Sequence, residues 1–127
     1  MLADPHRTLV ERYLAAYNAF DVPGMLGLLD PGIEFRNLSG GEVTAQANGL
    51  HEFRALAEHA AGLFRSRRQA ITHYTEHGNQ AVVGIAYKGV LAADLSPHLR
   101  AGDTLELTGR STFLFRDGRI ARIVDES

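Results

Sequence analysis

TLELTGRSTFLFRDGRIARIVD, residues 104–125, decides the fold. Leu105, Leu107, Ser111, Phe113 and Phe115 fall on alternate positions, with Thr104, Glu106, Thr108, Arg110 and Thr112 between them. A period of two predicts a long, half-buried strand. Arg116-Asp117-Gly118 then predicts a tight turn, because Asp-Gly readily supplies the positive φ of a short hairpin loop. Ile120, Ile123 and Val124 carry the returning strand. Ser111 is polar in an otherwise apolar inward row, so this hairpin is expected both to build the core and to point at a cavity.

A chain of 127 residues is expected to form one domain, residues 1–127. That size buries roughly two-thirds of the unfolded surface without needing a metal or disulfide. The absence of cysteine excludes thiolate catalysis and cysteine-ligated zinc. With 13 Lys+Arg against 15 Asp+Glu, the net charge of −2 argues against nucleic acid as a partner. Arg65, Arg67 and Arg68 are read as the basic end of a helix, complementing its dipole. No apolar run approaches the roughly 20 residues needed to span a bilayer. MLADPHR carries no signal-peptide pattern, so a cytoplasmic protein without membrane contact is the expectation.

Asp4-Pro5 predicts a helix start, and Leu9, Val10, Tyr13, Leu14, Tyr17 and Phe20 then recur at helical spacing. Asp21 caps a second, short helix that Asp30-Pro31-Gly32 stops. Ile33, Phe35 and Asn37 alternate as a short strand whose inward face ends in an amide. Residues 39–49, rich in Gly, Thr and Asn, read as a loop. A third helix is expected from Leu50 to about Arg65, with Phe53, Leu56, Ala57, Ala60, Leu63 and Phe64 as its buried stripe. Strands follow over 69–77 and 80–91, the latter with Val83, Ile85, Tyr87 and Leu91 on one side and Val82, Gly84 and Ala86 on the other. Helices gathered against an antiparallel meander indicate an α+β fold, with an open end where Tyr13, Asn37 and Ser111 could converge.

Tyr13 and Tyr17, spaced i and i+4, share one helix face. They are either core aromatics with satisfied hydroxyls or phenols aimed into a pocket. Asn37 and Ser111 each interrupt an apolar row and need a hydrogen-bond partner, since an unpaired buried polar group is costly. His73 has a pKa suited to a base, but Ile71 and Tyr74 disagree about which face of its strand is inward. The remaining histidines are scattered over separate elements, so no spacing resembles a metal site and no cofactor is implied.

ERYLAAYNAFDVPGMLGLLDPGIEF, the helix start near GLHEF and GRSTFLFRDGRIARI together resemble the nuclear transport factor two-like superfamily, in its SnoaL-like and ketosteroid-isomerase-like branches. The resemblance covers nearly the whole chain. It implies a cone: a curved antiparallel sheet wrapped on a long N-terminal helix, with two further helices on the same face and an interior pocket. For the site it implies Tyr13 as an oxyanion donor. At the ketosteroid-isomerase general-base position it places Asn37, which cannot take a proton near neutral pH, and at the second-donor position Ser111. SnoaL-like cyclases carry a histidine where Tyr87 stands and an aspartate where Ser111 stands. Scytalone-dehydratase-like members have a tyrosine where Tyr17 sits. No complete catalytic set of one branch is present.

The candidate catalytic residues are therefore Tyr13, Asn37 and Ser111, with Tyr17, Phe35, Phe53, His73, Tyr87, Phe113 and Asp125 around a small, largely apolar ligand. The expected chemistry is isomerisation, cyclisation or dehydration of a carbonyl compound, with His73 or Asp125 as the base. Two alternatives stay open: a domain that binds without turnover, and a dimerisation module. A flat outer sheet face with Val82, Gly84 and Ala86 predicts a homodimer. Catalysis requires a titratable group of perturbed pKa inside the cavity, whereas binding requires none.

Overall fold

The computed structural model describes residues 4–127, so the first three residues of the stretch read for a signal peptide lie outside the described ones. The chain runs α1 (Pro5–Asn18), α2 (Val22–Leu26), β1 (Leu29–Ser39), β2 (Glu42–Asn48), α3 (Gly49–Gly62), β3 (Phe64–His77), β4 (Gln80–Leu91), β5 (Thr104–Arg116) and β6 (Arg119–Glu126). One curved six-stranded sheet forms in the order β2-β1-β6-β5-β4-β3. All neighbours are antiparallel except β1 and β6, which run parallel. The α+β expectation holds. No helix among the described residues is long and apolar enough to cross a membrane.

Local chemistry explains the elements. The Asp4 carboxylate accepts from the backbone N–H groups of His6 and Arg7 and so caps α1, with Pro5 at its first position. Asp21 caps α2 through Gly24 N–H. Asp117 and Gly118 both take positive φ, 51° and 74°, and fold β5 back onto β6. The core packs Val10, Tyr13 and Leu14 of α1 against Ile33, Phe113, Phe115, Ile120 and Ile123 of the sheet.

Three readings are corrected. Residues 39–49 are not one loop: Gly40 and Gly41, at φ 59° and 84°, make a two-residue hairpin turn, and Glu42–Asn48 pairs antiparallel with β1. This edge strand escapes pattern reading because only Ala47 is buried, leaving no apolar alternation to see. The third helix stops at Gly62 rather than near Arg65, and Phe64 belongs to β3. Arg65, Arg67 and Arg68 are accordingly strand residues, and Arg67 is buried instead of facing a helix dipole in solvent.

The ambiguity around His73 also has a structural cause. The β3–β4 register slips between Ile71 and His73, a bulge that accommodates Thr72 beside Gly84, where an added Cβ would sit 2.6 Å from the Thr72 hydroxyl. Ile71 and Tyr74 both pack on the core across this slip, and His73 is turned out. Along β5 burial deepens toward the turn, from Leu107 at 44% exposed to Phe113 at 0%. Urea unfolding is expected to show Phe113→Ala losing about 3–5 kcal/mol and Leu107→Ala within roughly 0.5 kcal/mol of wild type. Equal losses at the two sites would contradict a row that opens at one end.

Candidate functional site

Strand register builds the centre of the site. Asp125 on β6 pairs in register with Asn37 on β1 and with Ser111 on β5. Residues opposite one another across a sheet share a face, so an amide, a carboxyl and a hydroxyl form one row across three strands. The Ser111 hydroxyl donates to the Asp125 carboxylate at 2.5 Å, a short charge-assisted bond. The Asn37 amide nitrogen donates to Thr44 Oγ1 at 2.7 Å, tying the row to β2. Gly109 lets the end of β6 approach, since a Cβ there would collide with the Glu126 carbonyl oxygen.

This row lines a cavity of about 370 Å³. Tyr13 and Tyr17 from α1, Phe35 from β1 and Phe53 from α3 line it too, with Tyr87 from β4 opposite. The walls are mostly hydrocarbon and ring, so an unpaired charge inside is costly. Asp125 shows the effect: burial pushes its carboxyl up from an ordinary 3.8 to about 6, and the Ser111 hydrogen bond only partly opposes this. The residue's remaining exposure is toward the cavity it lines.

Burial pushes the phenols up as well, which keeps them protonated and able to donate. Tyr13 is held well above the ordinary phenol range by burial and then by the negative charge of Asp125. The Tyr17 and Tyr87 hydroxyls meet at 2.9 Å, with the rings edge to face. Burial raises both, and all three stay protonated across ordinary pH.

Of the residues anticipated around a ligand, Tyr13, Tyr17, Phe35, Asn37 and Phe53 converge on this cavity, as do Tyr87, Ser111 and Asp125. Two do not. His73 is exposed on β3 with its Nδ1 3.4 Å from Thr72 Oγ1, and Phe113 is fully buried in the core behind the cavity wall. Sequence reading missed Gln69, which lines the cavity, and Arg67, which lies behind Tyr17. Alternation of Arg67, Gln69 and Ile71 carried the signal, masked by the misplaced helix end. Asp4, His6 and Glu76 also come together, one ligand atom each within 4.8 Å of one another. These groups are engaged in capping α1 and in a His6–Glu76 contact at 3.3 Å.

Residues 10–123 match the SnoaL-like domain family. The chain belongs to that family. As SnoaL-like domains go it lies in the nuclear transport factor two-like superfamily, with ketosteroid-isomerase-like and cystatin-fold structures among its neighbours. A candidate polyketide cyclase of Xanthomonas campestris pv. campestris is similar at 23% identity and TM-score 0.82, covering 97% of this chain and 90% of that one. A candidate polyketide cyclase of Pseudomonas putida is similar at 26% identity and TM-score 0.74, covering 97% and 91%. TerC, co-crystallised with polyporic acid, is similar at 20% identity and TM-score 0.77, covering 96% and 90%. No curated protein matches the chain.

The raised Asp125 carboxyl has a sign for stability. The folded state holds this proton more tightly than the unfolded chain, so its contribution is fully present below about pH 4 and is lost as pH rises through about 6. The gap from 3.8 to about 6, at about 1.36 kcal/mol per pH unit, amounts to roughly 3 kcal/mol. Asp125→Asn is therefore expected to melt several degrees above wild type at pH 8 and level with it near pH 4. A pH-independent difference would contradict a buried, titrating carboxyl.

Proposed function

We propose that this SnoaL-like domain is an enzyme that removes a proton α to the carbonyl of a small, largely apolar compound, with Asp125 as the general base. The observation that carries this reading is the carboxyl at the centre of the polar row, in an apolar cavity, with its titration raised to about 6. A base poised near the working pH combines a useful ionised fraction with driving force for proton transfer. The cavity volume falls in the range of small-molecule sites, roughly 300–1,000 Å³.

The step balances simply. Asp125 takes the Cα proton, the C–H pair becomes the enolate double bond, and the carbonyl π pair moves to oxygen. Tyr13 and the Tyr17–Tyr87 pair supply hydroxyls to that oxyanion. Return of the proton from Asp125 to another carbon gives isomerisation, attack of the enolate on a second carbonyl whose alkoxide takes that proton gives cyclisation, and loss of a β-hydroxyl with that proton, as water, gives dehydration. Ser111 serves the base rather than the substrate oxygen, because its proton is committed to Asp125. Asn37, beside Asp125 in register, orients the substrate. His73 takes no part.

The test is deuterium incorporation in D2O, followed by proton NMR, over a panel of cyclic enones, aryl ketones and 1,3-diketones. At least one member is expected to exchange above the buffer rate. Its kcat/KM should rise through a limb near pH 6, and Asp125→Asn should lose about 10²-fold or more. Panel members that bind without exchange would replace this reading with a domain that holds its ligand without turnover.

We also propose a homodimer through the outer sheet face. Val82, Thr112 and Val124 stand opposite one another on three adjacent strands, flanked by Gly84 and Ala86, and form a patch of small and β-branched residues bordered on the same face by Arg36, Arg110 and Arg122. Sedimentation is expected to give a dimer that Thr112→Arg splits without lowering the melting temperature. A monomeric wild type would overturn it.

A further inference from the structure

Arg67 is a cation with almost nothing to balance it. It is 5% exposed, its Nε donates to the Tyr17 carbonyl oxygen at 2.9 Å, and Nη1 and Nη2 are buried without a hydrogen-bond partner. No carboxylate among the described residues forms a salt bridge with it. Buried charges are normally paired. Here the compensation is aromatic: the guanidinium carbon lies 3.7 Å from the Tyr17 ring centroid and 4.6 Å from that of Phe20.

The backbone is bent to keep this arrangement. Phe20 sits at φ 59°, just past the end of α1, with Phe20 N–H donating to Tyr17 at 3.1 Å and Asp21 N–H to Ala16 at 2.8 Å. This helix ending normally takes glycine, and an aromatic residue there is strained. What a glycine could not supply is the second ring against Arg67. Asn18 fixes the same junction: its Nδ2 donates to the Gln69 carbonyl at 3.2 Å and its Oδ1 accepts from Gln69 N–H at 2.7 Å.

We propose that Arg67 is a positioning residue for the phenols of the cone, its guanidinium making Tyr17 the hydroxyl that donates to a bound anionic oxygen while Tyr87 donates to Tyr17 from behind. This rests on the reading of the cavity as a site that stabilises an oxyanion. A fixed positive charge on the ring face favours negative charge on the Tyr17 oxygen and strengthens its O–H as a donor. The direction of each group agrees. Arg67 favours the ionised form of Tyr13, Tyr17 and Tyr87, against burial and, for the first two, against the charge of Asp125. The Tyr17–Tyr87 hydrogen bond lowers Tyr17 and raises Tyr87, which orders the pair. A negative charge arriving at this point meets a cation already in place.

The test needs no substrate. A difluorotyrosine, more acidic than tyrosine, is placed at position 17 or at position 87 of the full chain and titrated by fluorine NMR. Position 17 is expected to ionise at lower pH than position 87. Arg67→Met should raise the midpoint at position 17 by about one pH unit or more, and Arg67→Lys should recover most of that. Ionisation at 87 first, or an unmoved midpoint in Arg67→Met, would overturn the proposal. If Arg67→Met does not fold, Arg67→Gln takes its place, with a raised midpoint at position 17 expected and an unmoved one overturning the proposal. A failure of α-proton exchange leaves this titration order untouched, so the two readings fail separately.

Discussion

The parallel pairing of β1 with β6 is the constraint on which the rest depends. It inserts the last strand of the chain between β1 and β5 and makes one sheet of the β1–β2 hairpin and the β3–β6 meander. Without it the meander would have an open edge at β6, and unpaired strand edges invite association. Its register also sets the site, because Asp125 then has Asn37 on one side and Ser111 on the other. Shifting β6 by one residue would turn Val124 inward and Asp125 out, since successive side chains take opposite faces. The core residues Ile120 and Ile123 oppose that shift from the other end of the same strand. Packing at the closed end of the cone thus holds the register of the polar row at the open end.

The fold was legible where apolar period and turn chemistry agreed. The β5–β6 hairpin, α1 and α2 all announced themselves through alternation, helical spacing or capping aspartates. What escaped notice did so for local reasons. β2 has a single buried side chain and therefore no pattern. The α3–β3 junction, LFRSRR, gives no break beyond Gly62, so helical spacing ran on through Phe64 into the strand. The bulge at Thr72 flips the parity of β3, and no reading by strict alternation could place His73. For the site, Ser111 and Asn37 were visible as polar interruptions of apolar rows. Asp125 had no such mark, because the three residues Val124, Asp125 and Glu126 offer no clear alternation by themselves. The sequence offered it only as one of two candidate bases, and its place in the row emerges when β1 and β5 are laid on either side of it.

Several groups around the cavity work against stability. Asp125 keeps a carboxylate in an apolar cavity, Arg67 keeps a cation without a counter-charge, and Phe20 holds a backbone conformation that suits glycine. Each could be replaced by a plainer residue with an expected gain in folding free energy. They also share one geometry. Asp125 lies on the sheet side of the cavity and Arg67 lies behind the α1 phenols, so a substrate oxygen near the phenols and a carbon near the carboxylate would see opposite charges. That separation suits a reaction in which a proton leaves one atom as negative charge develops on another. A core selected for stability alone would have little use for it.

The resemblance to ketosteroid-isomerase-like proteins places the base at the position of Asn37 and an acidic donor at that of Ser111. Neither residue here is an acid, and the sequence leaves Asp125 as the candidate carboxyl without fixing its place. The sheet tells a different story. Asn37, Asp125 and Ser111 stand in consecutive strands on one row, so the carboxyl remains in the row, one strand across from the expected place. Proton transfer depends on where the carboxyl oxygen lies relative to substrate, and adjacent strands are only about 4.8 Å apart. A substrate reoriented within a 370 Å³ cavity can present its acidic carbon to either position. Ser111 then acquires a purpose that an aspartate there could not serve: a second carboxyl in direct register would repel the first and push both to share one proton, whereas a hydroxyl donates to it and keeps it a base. Asn37, Asp125 and Ser111 are thus consistent as a set in one row and unintelligible one residue at a time.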